Sequence, residues 1–252
     1  MEVIQLLEYA FLFALGAVLG SFYNVLVYRI PRGMSIVSPP SSCPHCGAKI
    51  KWYDNIPIVS YILLRGKCRH CGGRISPRYP LVEAFTGLLA VLCRLRFEDI
   101  FLSLVFFVFF SILLVASLID WDTFILPDIF TLGGLAFGLV VSVFRQDFSL
   151  KESFLGALIG GGLFLLIYLY YTKLRKMEGL GFGDVKLMAF IGSVAGVWGV
   201  AYAVFLGSLL GLLYALPIIV KNKSLQFALP YGPFLSMGVF LGLLLDLKRF
   251  FL

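Results

Sequence analysis

Charged residues are scarce in this 252-residue chain, at 14% of the sequence, and Asp and Glu together number only 14. Hydrophobic residues make up 60%, and the mean hydropathy is +0.95. A composition of this kind excludes a water-soluble globular domain. The 21 basic residues give a formal net charge of +7. Nucleic-acid binding is not expected from that charge, because membrane topology accounts for most of it.

The apolar residues are grouped into stretches close to the ~20 residues that a helix needs to cross a bilayer. We therefore predict an all-α polytopic membrane protein with about eight transmembrane helices. The predicted spans are roughly 9–28, 81–95, 100–119, 129–144, 154–171, 185–197, 198–220 and 234–245. The sixth and seventh abut at Gly196 to Gly199. Glu2 and Glu8 precede the first span without any basic residue, so we expect a retained helix and no cleaved signal peptide.

Basic residues are distributed unevenly between the predicted loops. With eight spans both termini lie on one side, and the loops on the other side hold fifteen of the 21 basic residues. Loops rich in Lys and Arg stay in the cytoplasm. We therefore expect a first transmembrane helix in residues 1–28, a cytoplasmic loop domain in 29–80 and a transmembrane bundle in 81–252. The basic loops also favour contact with anionic membrane lipid.

The loop domain contains two CxxC pairs, each followed by a glycine. They are Cys43 and Cys46, and Cys68 and Cys71. A glycine permits the tight turn that points two thiolates at one ion, and four thiolates complete a tetrahedral zinc site. The reducing cytoplasm disfavours disulfides as the alternative. His45 and His70 lie within the turns and are expected to be exposed, because four cysteines already saturate the metal. Cys93 is expected to be a buried small residue.

Carboxylates stand at the ends of two predicted spans. Asp120 follows an almost unbroken apolar run, where an ionisable group is costly unless it is used. Asp184 lies at the start of the sixth span, and the predicted topology places both on the same side of the membrane. Two adjacent carboxylates share one proton and can activate water, as in aspartic proteases. Asp184 could instead cap its helix, and for Asp122 and Asp128 a structural role is the preferred interpretation.

Parts of the same sequence are compatible with three other functions. The glycines at 179, 181 and 183 resemble part of a dinucleotide-binding motif, but they follow a hydrophobic helix instead of a strand. A proton-coupled transporter would carry acids near the centres of its spans, and none is found there. A zinc-ribbon binding module without catalysis would leave the carboxylate sites unexplained. An aspartic protease is therefore favoured.

Six segments, in order along the chain, resemble the bacterial type IV prepilin peptidases of the GxGD group of membrane aspartic proteases. They are GSFYNVLVYRIPRG at 20–33, SCPHCGAKIKWYDNIPIVSYILLRGKCRHC at 42–71, ISPRYPLVE at 75–83, IDWDTFILPD at 119–128, GFGDVKL at 181–187 and LPYGPFL at 229–235. The resemblance implies that Asp120 and Asp184 are the catalytic pair. It also implies an inner-membrane endopeptidase whose active site faces the cytoplasm.

The resemblance implies two activities. Members of this family cut the leader of prepilins and pseudopilins after a glycine, and commonly methylate the new N-terminal amine with S-adenosylmethionine. The cysteine loop is usual in members with both activities. Candidate participants near the methyl donor are Asn24, Arg29, Asp54, Asn55 and Glu83, each of which also has a structural interpretation as a cap, turn or topology residue.

Overall fold

The computed structural model describes residues 2–176, 179–222 and 228–245, and in these ranges the chain is helical without any extended strand. Its α-helices are α1 Glu2–Arg29, α2 Val59–Leu63, α3 Arg78–Arg96, α4 Ile100–Thr123, α5 Asp128–Ser142, α6 Leu150–Leu169, α7 Phe182–Asn222 and α8 Gly232–Leu244. Short 3₁₀ turns occupy Ile30–Arg32 and Trp52–Asn55, and a π turn follows α6 at Tyr170–Arg175. The prediction of an all-α protein is confirmed.

Four helical segments are long and apolar enough to cross a membrane. They are Val3–Arg32, Ile100–Thr123, Leu150–Arg175 and Phe182–Lys221. Asp128–Ser142 and Gly232–Leu244 are apolar but shorter, and α3 carries Arg and Glu among its apolar residues. The chain is therefore a helical membrane protein, while eight crossings remain a prediction.

Gly196 divides the 41-residue helix α7 into two limbs. A straight helix of that length would extend about 60 Å, twice the hydrocarbon thickness of a bilayer. Gly196 has φ 65° and ψ −164°, a conformation that favours glycine because it lacks a Cβ atom. Asp184 in the first limb interacts with Asp120, and Tyr214 in the second limb lies 5.5 Å from the ring of Trp121. Since 30 residues of straight helix cover about 45 Å, the second limb folds back on the first.

The chain divides into two compact units, Met1–Phe107 and Val108–Leu252. In the first unit α1 packs against α3 with almost no space between the backbones. A Cβ atom on Gly16 would lie 2.6 Å from the Thr86 carbonyl oxygen, and one on Gly20 would lie 2.8 Å from Glu83 Cα. This packing joins α1, the cysteine loop and α3 in one unit. The compact units meet at residue 107, and the functional boundaries expected after residues 28 and 80 stay a prediction.

In the second unit, glycines let α5 and α6 approach the first limb of α7. A Cβ atom on Gly156 would lie 2.1 Å from the Gly192 carbonyl oxygen, and one on Gly134 would lie 2.8 Å from the Phe190 ring. The Phe190 ring in turn meets Phe109 of α4 edge to face, with centroids 5.2 Å apart. Close backbone packing of this kind is how helices associate in a membrane, where burial of apolar surface gives no driving force between them. It fixes the limb that carries Asp184.

We predict that Gly156→Val lowers the thermal stability of the detergent-solubilised protein, because a side chain at this contact would push α6 away from α7. Overpacking of a fixed contact typically costs about 1–3 kcal/mol. Gly162→Val is the matched control in the same helix, because a Cβ atom there meets nothing within 4 Å. Thermal unfolding followed by intrinsic fluorescence measures the difference. Equal destabilisation by both variants would contradict the assigned contact.

Candidate functional site

Two buried carboxylates meet at one end of the second unit. Asp120 belongs to the last turn of α4 and Asp184 to the first turn of α7, and their residues are 5% and 8% exposed. They are close enough for their charges to interact directly. Asp184 Oδ1 is buried and has no hydrogen-bond partner among the described residues. The structure therefore brings together the two carboxylates that the sequence indicated, and leaves one oxygen unsatisfied by the protein.

Glycine backbone surrounds the carboxylate pair. The amide of Gly232, at the start of α8, donates a hydrogen bond of 3.1 Å to Asp120 Oδ2. A Cβ atom on Gly232 would lie only 2.8 Å from that oxygen. At Asp184, the backbone amide bonds the Gly181 carbonyl at 3.1 Å, and a Cβ atom on Gly181 would lie 3.3 Å from Asp184 Oδ2. Any larger residue at 232 would displace Asp120.

Leu126, in the connection between α4 and α5, packs between two of these glycine segments. A Cβ atom on Gly183 would lie 2.9 Å from Leu126 Cβ, and one on Gly232 would lie 3.4 Å from Leu126 Cδ1. Leu126 therefore packs against both the GxGD segment and the start of α8 and holds these two segments next to each other. No role for Leu126 or Gly232 was predicted from the sequence. The signal for both was present, because they lie in the ILPD and LPYGPFL segments that carried the resemblance.

The other two acids of the first motif are Asp122 and Asp128, for which a structural role stays a prediction. Asp122 is exposed. Asp128 is the first residue of α5 and forms an ion pair with Lys186, two residues beyond Asp184. The expected position of Asp128 at the start of a helix is confirmed, and its pairing with Lys186 adds a link between α5 and α7.

The four cysteines of the loop are gathered into one cluster. Their Sγ atoms all lie within 4.8 Å of one another, and those of Cys43 and Cys71 are 3.9 Å apart. Tetrahedral zinc with Zn–S bonds of about 2.3 Å requires S–S separations of about 3.8 Å. The arrangement therefore fits a zinc ion bound by four thiolates. His45 and His70 are exposed and lie outside the cluster, and Cys93 is fully buried, as expected.

Backbone turns shape both halves of the cluster. The amide of Gly47 bonds the Cys43 carbonyl and the amide of Gly72 bonds the Cys68 carbonyl, each at 2.9 Å. Both glycines have φ 69°, so the predicted need for glycine after each pair is confirmed. Arg69 lies between the cysteines of the second pair, and its guanidinium donates hydrogen bonds to both carboxylate oxygens of Asp54. These bonds link the second pair to the 3₁₀ turn that contains Asp54. The hydrogen bonds from Arg69 lower the pKa of Asp54.

A cavity of about 530 Å³ lies in the first unit between the end of α1, the cysteine loop and the start of α3. Its lining includes all five candidates for the methyl-donor site, which are Asn24, Arg29, Asp54, Asn55 and Glu83. Asn24, Arg29 and Glu83 are buried. The volume is within the range of about 300–1,000 Å³ that is typical of sites for small molecules. The sequence candidates therefore share one cavity, although they are up to 59 positions apart, from 24 to 83.

A buried carboxylate pair at the ends of apolar helices, together with a four-thiolate cluster, defines a helical membrane protein with a protease-like site. Comparison with known families agrees with this description. The profile of the bacterial peptidase A24 N-terminal domain matches residues 14–97, and that of the type IV leader peptidase family matches residues 107–216. The chain belongs to the type IV leader peptidase family.

Relatives extend over nearly the whole chain. The prepilin leader peptidase/N-methyltransferase of Pseudomonas putida is 34% identical, over 91% of this chain and 88% of its own length. The protein of the same name from Burkholderia pseudomallei is 36% identical, over 92% and 84%. A type 4 prepilin-like proteins leader peptide-processing enzyme of Escherichia coli is 36% identical, over 88% of each chain. No solved structure matches the chain significantly.

We predict that Cys43→Ser loses most of the zinc bound by the purified protein, because three thiolates cannot complete the tetrahedral site. Zinc affinity contributes directly to folding in small metal-bound domains, so the loop should also become sensitive to protease. Cys93→Ala serves as the control, since Cys93 lies buried in α3 outside the cluster. Metal content by elemental analysis and limited proteolysis are the measurements. Full zinc content in Cys43→Ser would contradict the assigned ligand set.

Proposed function

We propose that this protein is an aspartic endopeptidase that removes the leader of type IV prepilins and pseudopilins, with Asp120 and Asp184 as its catalytic pair. The observation that carries the proposal is the contact between these two buried carboxylates at the ends of α4 and α7. Membership of the leader peptidase family and the names of the relatives support the same activity.

The chemistry follows from the pairing of two acids. Two close carboxylates cannot both ionise cheaply, so one keeps a proton. The ionised member takes a proton from water, which attacks the carbonyl carbon of the scissile glycine, while the protonated member polarises the carbonyl oxygen. Asp184 Oδ1, buried without a protein partner, is suited to contact the water or the substrate carbonyl. The Gly232 amide holds Asp120 in place during these steps.

Glycine around the pair suits a peptide substrate. Gly181 and Gly232 lie directly against the carboxylates, so no side chain at these two positions separates the acids from an extended peptide. A glycine in the substrate just before the scissile bond likewise has no side chain that would keep the peptide away from the carboxylates. The site therefore favours a peptide bond in an extended strand next to the membrane, which is where a prepilin changes from leader to apolar segment.

A second activity is N-methylation of the new N-terminal residue, which the names of the relatives indicate. S-adenosylmethionine, when bound, supplies a methyl group on a positively charged sulfur. The residues that would hold it are the five candidates that line the cavity of the first unit, Asn24, Arg29, Asp54, Asn55 and Glu83. The cavity of the first unit has the volume and the buried charged residues that such a donor needs, and structural zinc would shape the loop around it.

We also propose eight membrane crossings, with α7 providing two of them and with the loop 29–80 in the cytoplasm. The fold-back at Gly196 supports this count, and the distribution of Lys and Arg supports the orientation. In functional terms, 1–28 then anchors the zinc-binding loop domain 29–80, and 81–252 forms the protease bundle in the inner membrane, surrounded by lipid.

The decisive experiment is incubation of the detergent-solubilised protein with a prepilin, followed by measurement of product mass. The wild-type product should lose its leader and gain one methyl group. Asp120→Asn and Asp184→Asn should each reduce cleavage by at least about 10³-fold, because neither variant can share a proton between two carboxylates. Asp122→Asn, at an exposed position, is the control and should retain most activity. An active Asp120→Asn variant would overturn the assignment of the pair.

Orientation is tested separately by cysteine labelling in a background without the native cysteines. A cysteine at Ser76 should resist a membrane-impermeant thiol reagent in intact cells, because the loop faces the cytoplasm. A cysteine at Lys151 should react, because the loop before α6 faces outward. Permeabilised cells provide the control for accessibility. Labelling at Ser76 in intact cells would invert the proposed topology.

A further inference from the structure

The start of α8 is held by the second limb of α7. A Cβ atom on Gly238 would lie 2.6 Å from the Gly207 amide nitrogen, and one on Gly207 would lie 2.8 Å from the Phe234 carbonyl oxygen. Contacts between small residues hold membrane helices together without any side chain in between. Because α8 begins at Gly232, the second limb supports the residue whose amide bonds Asp120.

Side chains on both sides of Gly232 strengthen this attachment. Before it, the hydroxyls of Tyr231 and Ser208 form a hydrogen bond of 2.8 Å. After it, the Phe234 ring contacts the Tyr214 ring, with centroids 5.5 Å apart. Ser208 and Tyr214 both belong to the second limb of α7. Each side of Gly232 therefore has one side-chain link to that limb.

Trp121 connects the same cluster to α4. It follows Asp120 directly, and its ring centroid lies 5.5 Å from that of Tyr214 and 6.2 Å from that of Phe234. Aromatic pairs at these separations attract each other beyond the effect of burial. The three rings therefore join α4, α7 and α8 at positions one residue from Asp120 and two residues from Gly232.

We propose that Tyr231 and Tyr214 are positioning residues for cleavage, which hold the Gly232 amide on Asp120 from the second limb of α7. They act through the backbone of α8 and not on the reacting atoms. Helix α7 then serves both acids, because its first limb carries Asp184 and its second limb keeps Asp120 in place. The inference rests on the catalytic roles proposed above for Asp120 and Asp184.

The size of the effect follows from the geometry that proton transfer needs. A displacement of about 1 Å at a reacting group can lower a rate about 100-fold. Loss of one supporting hydrogen bond has a smaller effect, because such a bond typically changes an equilibrium only about twofold to tenfold. Removal of a hydroxyl should therefore cost less activity than removal of a whole ring.

The test is steady-state kinetics of prepilin cleavage by the purified full-length protein in detergent. Tyr231→Phe removes only the hydroxyl and keeps the ring that stacks on Phe164. We expect kcat to fall about twofold to tenfold at unchanged KM, because the substrate site stays intact. Ser208→Ala should give the same fall. The double variant should be no slower than either single variant, since all three lack the same hydrogen bond.

Tyr214→Ala tests the ring cluster in the same assay. It removes the ring that contacts Trp121 and Phe234, and kcat should fall about tenfold or more. Tyr214→Phe keeps the ring and should restore kcat. Phe205→Ala is the matched control, because Phe205 lies on the same limb and is 71% exposed. Thermal unfolding of every variant ensures that all rates are compared below the lowest melting temperature.

Wild-type kcat in either Tyr231→Phe or Tyr214→Ala would overturn the inference. A raised KM at unchanged kcat would also overturn it, because the tyrosines would then contact the substrate. If Tyr214→Ala does not fold, Tyr231→Phe and Ser208→Ala decide. Failure of the proposed function is recognised separately, by an active Asp120→Asn variant, whatever the tyrosine variants do.

Discussion

The hydrogen bond from the Gly232 amide to Asp120 is the contact on which the second unit depends. It joins residues 112 positions apart and is buried. A carboxylate at the end of an apolar helix needs a donor, because burial without one is costly. The donor here is the backbone amide of a glycine, and a Cβ atom on that residue would lie 2.8 Å from the carboxylate oxygen that it bonds. The start of α8, the GxGD segment and Leu126 are arranged around that requirement.

The two units are stabilised in different ways. The second consists of apolar helices held together by glycine contacts, as at Gly156 and Gly192. The first combines one such contact, between α1 and α3, with a loop whose 3₁₀ turns and isolated bridges provide little packing of their own. The four cysteines are placed so that one bound zinc ion would provide the stability that this loop cannot obtain from an apolar core. The proposed catalytic pair lies in one unit and the proposed methyl-donor cavity in the other.

Much of this organisation was predictable from the sequence. Apolar length indicated the helices, the CxxC spacing indicated the cluster, and Asp120 was conspicuous because it ends an apolar run. What could not be predicted is the pairing of distant segments. Nothing local in LPYGPFL shows that Gly232 contacts Asp120, and nothing in α1 or α3 shows that they enclose a cavity. Glu83 resembles any acid near the start of a helix until its burial in the wall of the cavity is visible in three dimensions.

The interruption at Gly196 has a consequence for membrane insertion. Between Lys186 and Lys221 the chain contains no charged residue at all, so the bend offers the insertion machinery no polar loop at which to divide the segment. In the proposed topology, in which α7 crosses twice, the two limbs therefore enter the bilayer together as a helical hairpin. The lysines at its two ends both favour the cytoplasm and keep them on one side. With the proposed orientation, assembly brings the Asp184 end of the hairpin to the cytoplasmic surface in a single event.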